Sequence, residues 1–251
     1  LYQSEAKEMS DQNIYDNQEF FDGYKKLRSN SSAANNVIEK PALFSLAPNM
    51  RNKTVLDIGC GYGENCIEFL KLGSLSVTGL DISTKMLEIA QTENSSPKIK
   101  YINKSMTHLC ELTEKYDVVF SSLAVHYIED FNKLVADIYN LLNKDGYFIF
   151  SQEHPLTTAL LTQNYWTCND QNDKICYNLT TYSLEGKREV TWFVNGVIKY
   201  HRTMSSIINS LLKAGFTIEK MLEPMPSDEI IEKYPSYKKY IHKPDFLLIK
   251  A

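Results

Sequence analysis

Short apolar runs, rich in β-branched residues, recur through the middle of the chain at Thr54–Ile58, Ser76–Leu80, Ile99–Ile102, Asp117–Phe120 and Tyr147–Ser151. Between them the apolar positions fall at helical spacing, over Glu64–Leu72, Thr84–Gln91 and Asp130–Leu142, with a shorter stretch at Met106–Leu112. Strands alternating with helices predict parallel βαβ units joined by right-handed crossovers. Two further strands are predicted late in the chain, at Thr217–Leu222 and, after the Lys243-Pro244 turn, at Phe246–Lys250. The expected fold is therefore α/β: a doubly wound, mostly parallel, seven-stranded sheet with helices on both faces.

Local signals agree with these elements. Ser83 stands at a helix N-cap, just after the strand ending near Asp81. Lys144-Asp145-Gly146 reads as a turn before the fifth strand, and Gly215 closes a helix over Thr203–Ala214. Two parts lie outside this pattern. Residues 1–50 carry helical stretches near Glu19–Arg28 and Asn36–Leu46 and read as an N-terminal helical cap. Residues 156–200, after Pro155, are rich in Asn, Thr, Tyr and Trp without a strong period, and read as a lid inserted into a domain spanning 51–251. Additions of this kind often cover a site at the carboxyl ends of the strands.

Composition narrows the class. The 251 residues include 27 Lys+Arg against 31 Asp+Glu, a formal charge of −4, with 43% hydrophobic and 23% charged residues. That fits an ordinary globular protein and argues against a basic nucleic-acid footprint. There is no run of 18 apolar residues, so no membrane-spanning helix is expected, and the polar opening LYQSEAKEMSDQN lacks a signal-peptide core. The five cysteines, at 60, 66, 110, 168 and 176, form no C-x-x-C pair, so neither a disulfide framework nor a metal site is suggested. A reduced, cytoplasmic protein is expected, in which the Asn-x-Ser/Thr triplets at Asn30, Asn94, Asn103 and Asn178 are incidental. Oligomeric state is left open.

The candidate chemistry starts at Val55-Leu56-Asp57-Ile58-Gly59-Cys60-Gly61-Tyr62-Gly63-Glu64, where a strand runs into alternating glycines and then a helix. Such a loop lets the backbone approach a ligand closely. It departs from the G-x-G-x-x-G dinucleotide fingerprint, because the third glycine comes one place early and Glu64 takes the expected position. With Asp57 also beside the loop, a pyrophosphate would be repelled, whereas a ligand with a cationic end is suited. Asp81, about twenty residues on, can accept both hydroxyls of a ribose. Ile82 and Met86 can sandwich an adenine. A nucleoside carrying an amino-acid tail and a positive sulfur satisfies all of these groups, and that ligand is S-adenosylmethionine. Cys60 reads as a small residue packed against it, and Cys66 as core.

These segments resemble, in order, the motifs of the class I S-adenosylmethionine-dependent methyltransferases. VLDIGCGYGEN and GLDIS look like their opening, Tyr116-Asp117-Val118-Val119-Phe120-Ser121-Ser122-Leu123-Ala124-Val125-His126-Tyr127 like their fourth-strand motif, and Leu141–Tyr147 like the start of their fifth strand. The match covers roughly residues 50–152 and implies a Rossmann-like methyltransferase fold. Beyond it, YDNQEFFDGYKKLR, SQEHP, VIKYHRT and KPDFLLI are similar to a bacterial small-molecule subgroup with a helical N-terminal cap. The resemblance implies Tyr24 and Arg28 closing on the methionine end of the cofactor, with Asp57, Gly59, Cys60, Gly61, Ser121 and Leu123 around it. After the third strand, where many class I members place an acidic residue facing the adenine amino group, this chain has Lys104-Ser105-Met106, so Ser105 or a backbone carbonyl takes that place.

The resemblance further implies methyl transfer to O, N or C of a small-molecule acceptor, with S-adenosylhomocysteine as product. Glu153 and His154, after the fifth strand, are candidates to orient and deprotonate the nucleophile, with a structural bend at Pro155 as the rival reading. His126 reads either as a polar wall or general base, or as a histidine satisfied at the start of a helix. His201 reads as facing the acceptor or as a strand end. Tyr127, Tyr165, Trp166, Trp192 and Tyr200 are candidate substrate contacts or lid packing. The alternative is a nucleic-acid or protein methyltransferase; the nucleic-acid kind would carry a basic stripe and, for base amino groups, an Asn/Asp-Pro-Pro-Tyr/Phe tetrapeptide, and Ser121-Ser122-Leu123-Ala124 stands in that place. The third class is a binding protein that holds S-adenosylmethionine without turnover.

Overall fold

The structure is a computed structural model, described for residues 12–28, 30–161 and 165–251. Most of the polar opening segment read for a signal peptide thus lies outside the described residues, as do three residues of the predicted lid. The chain begins with a 3₁₀ turn at Ile14–Asp16 and α1 (Gln18–Arg28). The helix expected at Asn36–Leu46 is present in two windings: a π-helical turn over Asn35–Glu39 runs into α2 (Lys40–Phe44), and this wide turn buries Glu39. The α/β core follows as β1 (Thr54–Ile58), α3 (Glu64–Lys71), β2 (Ser76–Asp81), α4 (Thr84–Glu93), β3 (Ile99–Asn103), β4 (Tyr116–Ser121), α5 (Phe131–Leu141) and β5 (Leu142–Glu153). A 3₁₀ turn at Met106–Glu111 stands in place of a helix between β3 and β4, and another at Val125–Tyr127 follows β4.

The inserted segment contains a short α6 (Pro155–Thr158) and two hairpins. These are β6 (Trp166–Cys168) with β7 (Lys174–Tyr177), and β8 (Gly186–Trp192) with β9 (Val194–His201). The chain ends through α7 (Met204–Ala214), β10 (Lys220–Leu222), α8 (Asp228–Lys233) and β11 (Phe246–Lys250). The strand expected over Thr217–Leu222 is thus confined to its last three residues.

The seven-stranded sheet has the order β10-β11-β5-β4-β1-β2-β3, parallel from β3 to β5, with β11 antiparallel to both of its neighbours. The chain starts at the middle of the sheet and winds outward first to one side and then to the other, so β1 and β4 meet where the order reverses. Lys144-Asp145-Gly146 does not precede β5 but lies within it. Tyr116 pairs Leu142 and Val118 pairs Tyr147, so residues 143–146 bulge out, with Asp145 at φ 62°.

Alternating strand residues feed two cores, one on each face. Leu56, Ile58, Val119, Phe148, Phe150, Leu247 and Ile249 pack with α5 and α7. Their neighbours Val55, Val118, Phe120, Ile149 and Leu248 pack with α2, α3 and the chain after β10. Because both faces are covered, the strands read as near-continuous apolar runs in the sequence.

The N-terminal segment is tied down by aromatic packing. Phe20, fully buried, meets Tyr15, Trp192 and Phe193 edge-on at ring separations of 5.0, 5.3 and 5.5 Å. It thereby joins α1 to the β8–β9 hairpin. Truncating an aromatic side chain in such a place removes burial and leaves a cavity. Phe20→Ala is expected to lower stability by about 3–5 kcal/mol, measured by denaturant unfolding, and to leave the parallel sheet intact by circular dichroism.

Candidate functional site

A cavity of about 340 Å³ opens at the carboxyl ends of β1, β2, β4 and β5, where α/β sheets bind ligands. One end is built by the turns after β1 and β2. Gly59 and Gly61 hold φ of 73° and 53°, a region that costs other residues free energy. They differ in what surrounds them. A Cβ on Gly59 would sit 2.5 Å from Ala124 Cβ, whereas one on Gly61 would meet no protein atom within 4 Å. The first glycine is needed for packing; the second leaves open space beside the loop.

Asp81, at the end of β2, accepts from the Gly61 N–H at 2.8 Å and the Ser83 N–H at 2.9 Å. Burial pushes its carboxyl up, partly offset by these two amides. Ile82, Met86, Ser105 and Met106 line the same end.

The other end is formed by the 3₁₀ turn after β4, the end of β5 and the β8–β9 hairpin. His126, Tyr127, Glu153, Trp192 and Phe246 line it. His126 is buried, and its ring makes no hydrogen bond to a described residue, with Nδ1 wholly enclosed. Burial pulls its pKa down to about 4; Glu153 works against that, and the Lys199 and Arg202 charges reinforce it. Glu153 is ion-paired with the buried Lys199. Burial pushes its carboxyl up, but the Lys199 and His126 charges outweigh this and hold it below the ordinary range. Lys199 in turn lies 5.1 Å from the Trp192 ring.

The cavity is closed by the segment before and within α1, which contributes Gln12, Tyr15, Tyr24 and Arg28. Asp16 accepts from the Ser83 hydroxyl at 2.6 Å, while Ser83 Oγ accepts the Met86 N–H at 3.1 Å, so one N-cap serves α4 and anchors the strap. Gln12 bonds β9 twice, donating to the Gly196 carbonyl at 2.7 Å and accepting from the Ile198 N–H at 2.8 Å. Arg28 is ion-paired with Glu64 at the start of α3. Behind the cavity wall, buried Glu39 accepts from Ser122 at 2.9 Å and from Ser151.

Of the residues singled out from the sequence, the structure brings Tyr24, Arg28, Gly59, Gly61, Asp81, Ile82, Met86, Ser105, Met106, Leu123, His126, Tyr127, Glu153 and Trp192 into this cavity. Eight others lie elsewhere. Asp57 is buried behind the glycine loop, where it accepts from the Cys66 thiol at 3.6 Å and burial raises its pKa to about 7. Cys60 is packed beneath the loop, its thiol pushed up by its contact with Cys66 and by burial. Ser121 donates to the Ile58 carbonyl at 3.0 Å and so ties β4 to β1.

His154 caps α6 by accepting the Leu156 N–H on Nδ1 at 3.1 Å, and its Nε2 meets Glu223 at 2.8 Å. His201 is wholly buried between the Thr158 hydroxyl and the Tyr182 carbonyl, both at 2.8 Å. With both nitrogens engaged, neither histidine has a lone pair to offer a ligand. Tyr165 and Trp166 pack on Tyr177 of the β6–β7 hairpin, and Tyr200 donates to Glu129 on a separate cleft.

Sequence reasoning missed Tyr15, Lys104, Ser122 and Phe246 as cavity residues, and Glu39 as their support. Tyr15 and Phe246 stand inside the YDNQEFF and KPDFLLI segments, which carried the signal. Nothing in the sequence marked Glu39.

A family model described as a methyltransferase domain matches residues 56–150. A crystal structure of an S-adenosylmethionine dependent methyltransferase from Mesorhizobium loti is 32% identical and superposes with a TM-score of 0.79, covering 89% of this chain and 98% of that one. The chain belongs to the class I S-adenosylmethionine-dependent methyltransferases.

An uncharacterised Haemophilus influenzae protein is 41% identical to this methyltransferase over 244 residues, 95% of this chain and 96% of its own length. The magnesium protoporphyrin IX methyltransferase of Synechocystis PCC 6803 with bound SAH, 19% identical, shares its fold with a TM-score of 0.60 over 94% of each chain. S-Adenosylmethionine is the cofactor of this methyltransferase. The residues present fit it: open space beside Gly61, a buried carboxylate at Asp81 and apolar walls from Ile82 and Met86. No helix among the described residues is long and apolar enough to cross a membrane.

The buried His126 makes stability pH-dependent. Its folded pKa of about 4 lies below the ordinary value of about 6.5. The unfolded chain therefore binds the extra proton first as pH falls, and stability is lost between those values. A difference of this size corresponds to about 3 kcal/mol. Asp57, raised to about 7, works in the opposite sense over the same range. Comparing urea unfolding of wild type and His126→Asn from pH 7 to 4 isolates the histidine, and the variant is expected to lose less stability on acidification.

Proposed function

We propose that this enzyme transfers the methyl group of S-adenosylmethionine to a small molecule held in the same cavity as the cofactor, in the cytoplasm. The observation that carries this reading is the closure of the acceptor end. Tyr15 and Trp192 cover it from two elements that Gln12 hydrogen-bonds together. A polymer would need an open groove there. The formal charge of −4 offers no general attraction for a nucleic acid. The five free cysteines are in keeping with a reducing compartment.

In this reading residues 1–50 act as the cap and 156–200 as the substrate lid. Asp81 would take the ribose hydroxyls, with the adenine between Ile82 and Met86 and beside Ser105 and Met106. Gly59, Gly61 and Leu123 would present backbone to the amino-acid tail, and Tyr24 and Arg28 would close over it. The cofactor supplies an already activated methyl group on a sulfonium. What the protein adds is alignment of the acceptor for in-line attack and exclusion of water. The aromatic strap and the β8–β9 hairpin supply the second of these.

Two substitutions test this reading, with S-adenosylhomocysteine binding followed by calorimetry and the fold by circular dichroism. Asp81→Ala is expected to weaken binding at least tenfold, and unchanged affinity would remove the ribose role. Gly61→Val places a side chain in open space beside the loop. It is expected to weaken binding at least tenfold, and because Gly61 sits at φ 53° the side chain also strains the loop and lowers the melting temperature by several degrees.

A further inference from the structure

Among the described residues, only one that lines the main cavity has a buried side-chain polar atom without a hydrogen-bond partner: His126, whose Nδ1 is wholly enclosed and out of a ligand's reach, while its Nε2, also unbonded, is not enclosed. The other buried orphans lie on Asn13, Asp57, Tyr62, Ser74 and Tyr240. Nε2 of His126 is thus the ring nitrogen left to meet a ligand. Its position is not loose. Arg202 donates to the Ile128 and Glu129 carbonyls, pinning the chain just after the turn that carries His126, and lies over the Phe131 ring at 5.1 Å. The charged groups acting on His126 are Glu153 at the end of β5, Lys199 on β9 and Arg202 just after β9. Glu153 lines the same end of the cavity, ionised and held by Lys199.

We infer that the acceptor presents an uncharged O–H or N–H, on an apolar body, to His126 and Glu153, and that His126 takes its proton as the methyl is transferred. This inference rests on the small-molecule reading above. An imidazole lone pair and a carboxylate both accept hydrogen bonds, so together they call for a donor. An acceptor carrying a carboxylate or phosphate there would face the buried charge of Glu153. The cations around the cavity are already matched, Arg28 by Glu64, Lys104 by Glu111 and Lys199 by Glu153.

In the step itself the acceptor oxygen or nitrogen forms a bond to the methyl carbon. The carbon–sulfur bond breaks with its electron pair left on sulfur, and the acceptor proton passes to the His126 ring, which later releases it to solvent. A histidine kept neutral by burial is a weak base, so it removes the proton as the new bond forms and not beforehand. The Lys199 ammonium positions Glu153 and is itself held against the face of Trp192.

The test uses the full chain with ¹⁵N-labelled histidine, saturated with S-adenosylhomocysteine and titrated with phenol, aniline and benzoate. Phenol or aniline is expected to shift the His126 ring resonances and to bind at least tenfold more tightly than benzoate. Glu153→Gln is expected to reduce that preference. Binding that leaves the His126 resonances unmoved, no binding of phenol or aniline, or benzoate bound as tightly as either would overturn the inference. In methyl-transfer assays with the same two acceptors, His126→Asn is expected to lower turnover by ~10²–10⁴-fold, with affinity for S-adenosylhomocysteine kept within twofold. Undiminished turnover in that variant, or no methylation of either acceptor by the wild type, would also overturn it. Failure of the wild type to bind S-adenosylhomocysteine at all would strike the underlying reading first, and this one with it.

Discussion

The carboxylate of Asp81 holds three parts of the molecule in register. One oxygen takes the Gly61 N–H and the other the Ser83 N–H, so the glycine turn after β1 and the start of α4 are fixed to each other across the end of the sheet. Ser83 passes the constraint on through its hydroxyl to Asp16, and the N-terminal strap follows. The cavity wall on that side is therefore one hydrogen-bonded chain running from β1 to the cap. Amide-to-carboxylate bonds are among the stronger ones available to a protein, and burial at the end of β2 shields these from water.

The acceptor end is built on a different principle. There, groups that are costly to bury are gathered and only partly satisfied. Glu39 shows the fully supported case: it is enclosed, bonded to Ser122 and Ser151, and joins the cap to the ends of β4 and β5. Glu153 and Lys199 neutralise each other within the wall. His126 has neither arrangement, and burial keeps it neutral. Proteins retain such groups where a ligand completes them. On the proposed function, the aromatic-lined surround offers the acceptor a preformed site.

How much of this was legible in the chain depended on how local the cause was. The central parallel strands were readable because burial on both faces makes them near-continuous apolar runs. The glycine turn, Asp81, Ile82 and Met86 were readable because one βα turn and the next helix set them at short, fixed spacings. The histidines were not. His154 and His201 looked as available as His126, yet Leu156 and Glu223 engage one, and Thr158 and Tyr182 the other. Trp192 faces the cavity while Trp166 packs on Tyr177. That choice is made by which hairpin lies next to α1, not by any neighbour in the chain.

The sequence by itself determined the layered α/β architecture, its order of strands and helices, and the half of the site built from consecutive turns. In those places the physics is short-range: periodic burial, positive-φ glycines and N-caps act over a few residues. Only the tertiary structure decided the other half. The enclosure of Glu39, the freedom of the His126 ring and the joining of the strap to β9 through Gln12 depend on contacts between segments far apart in the chain. Whether a polar side chain is spent on the fold or left for a ligand is settled by the partners that packing brings to it, and no spacing along the chain encodes those partners.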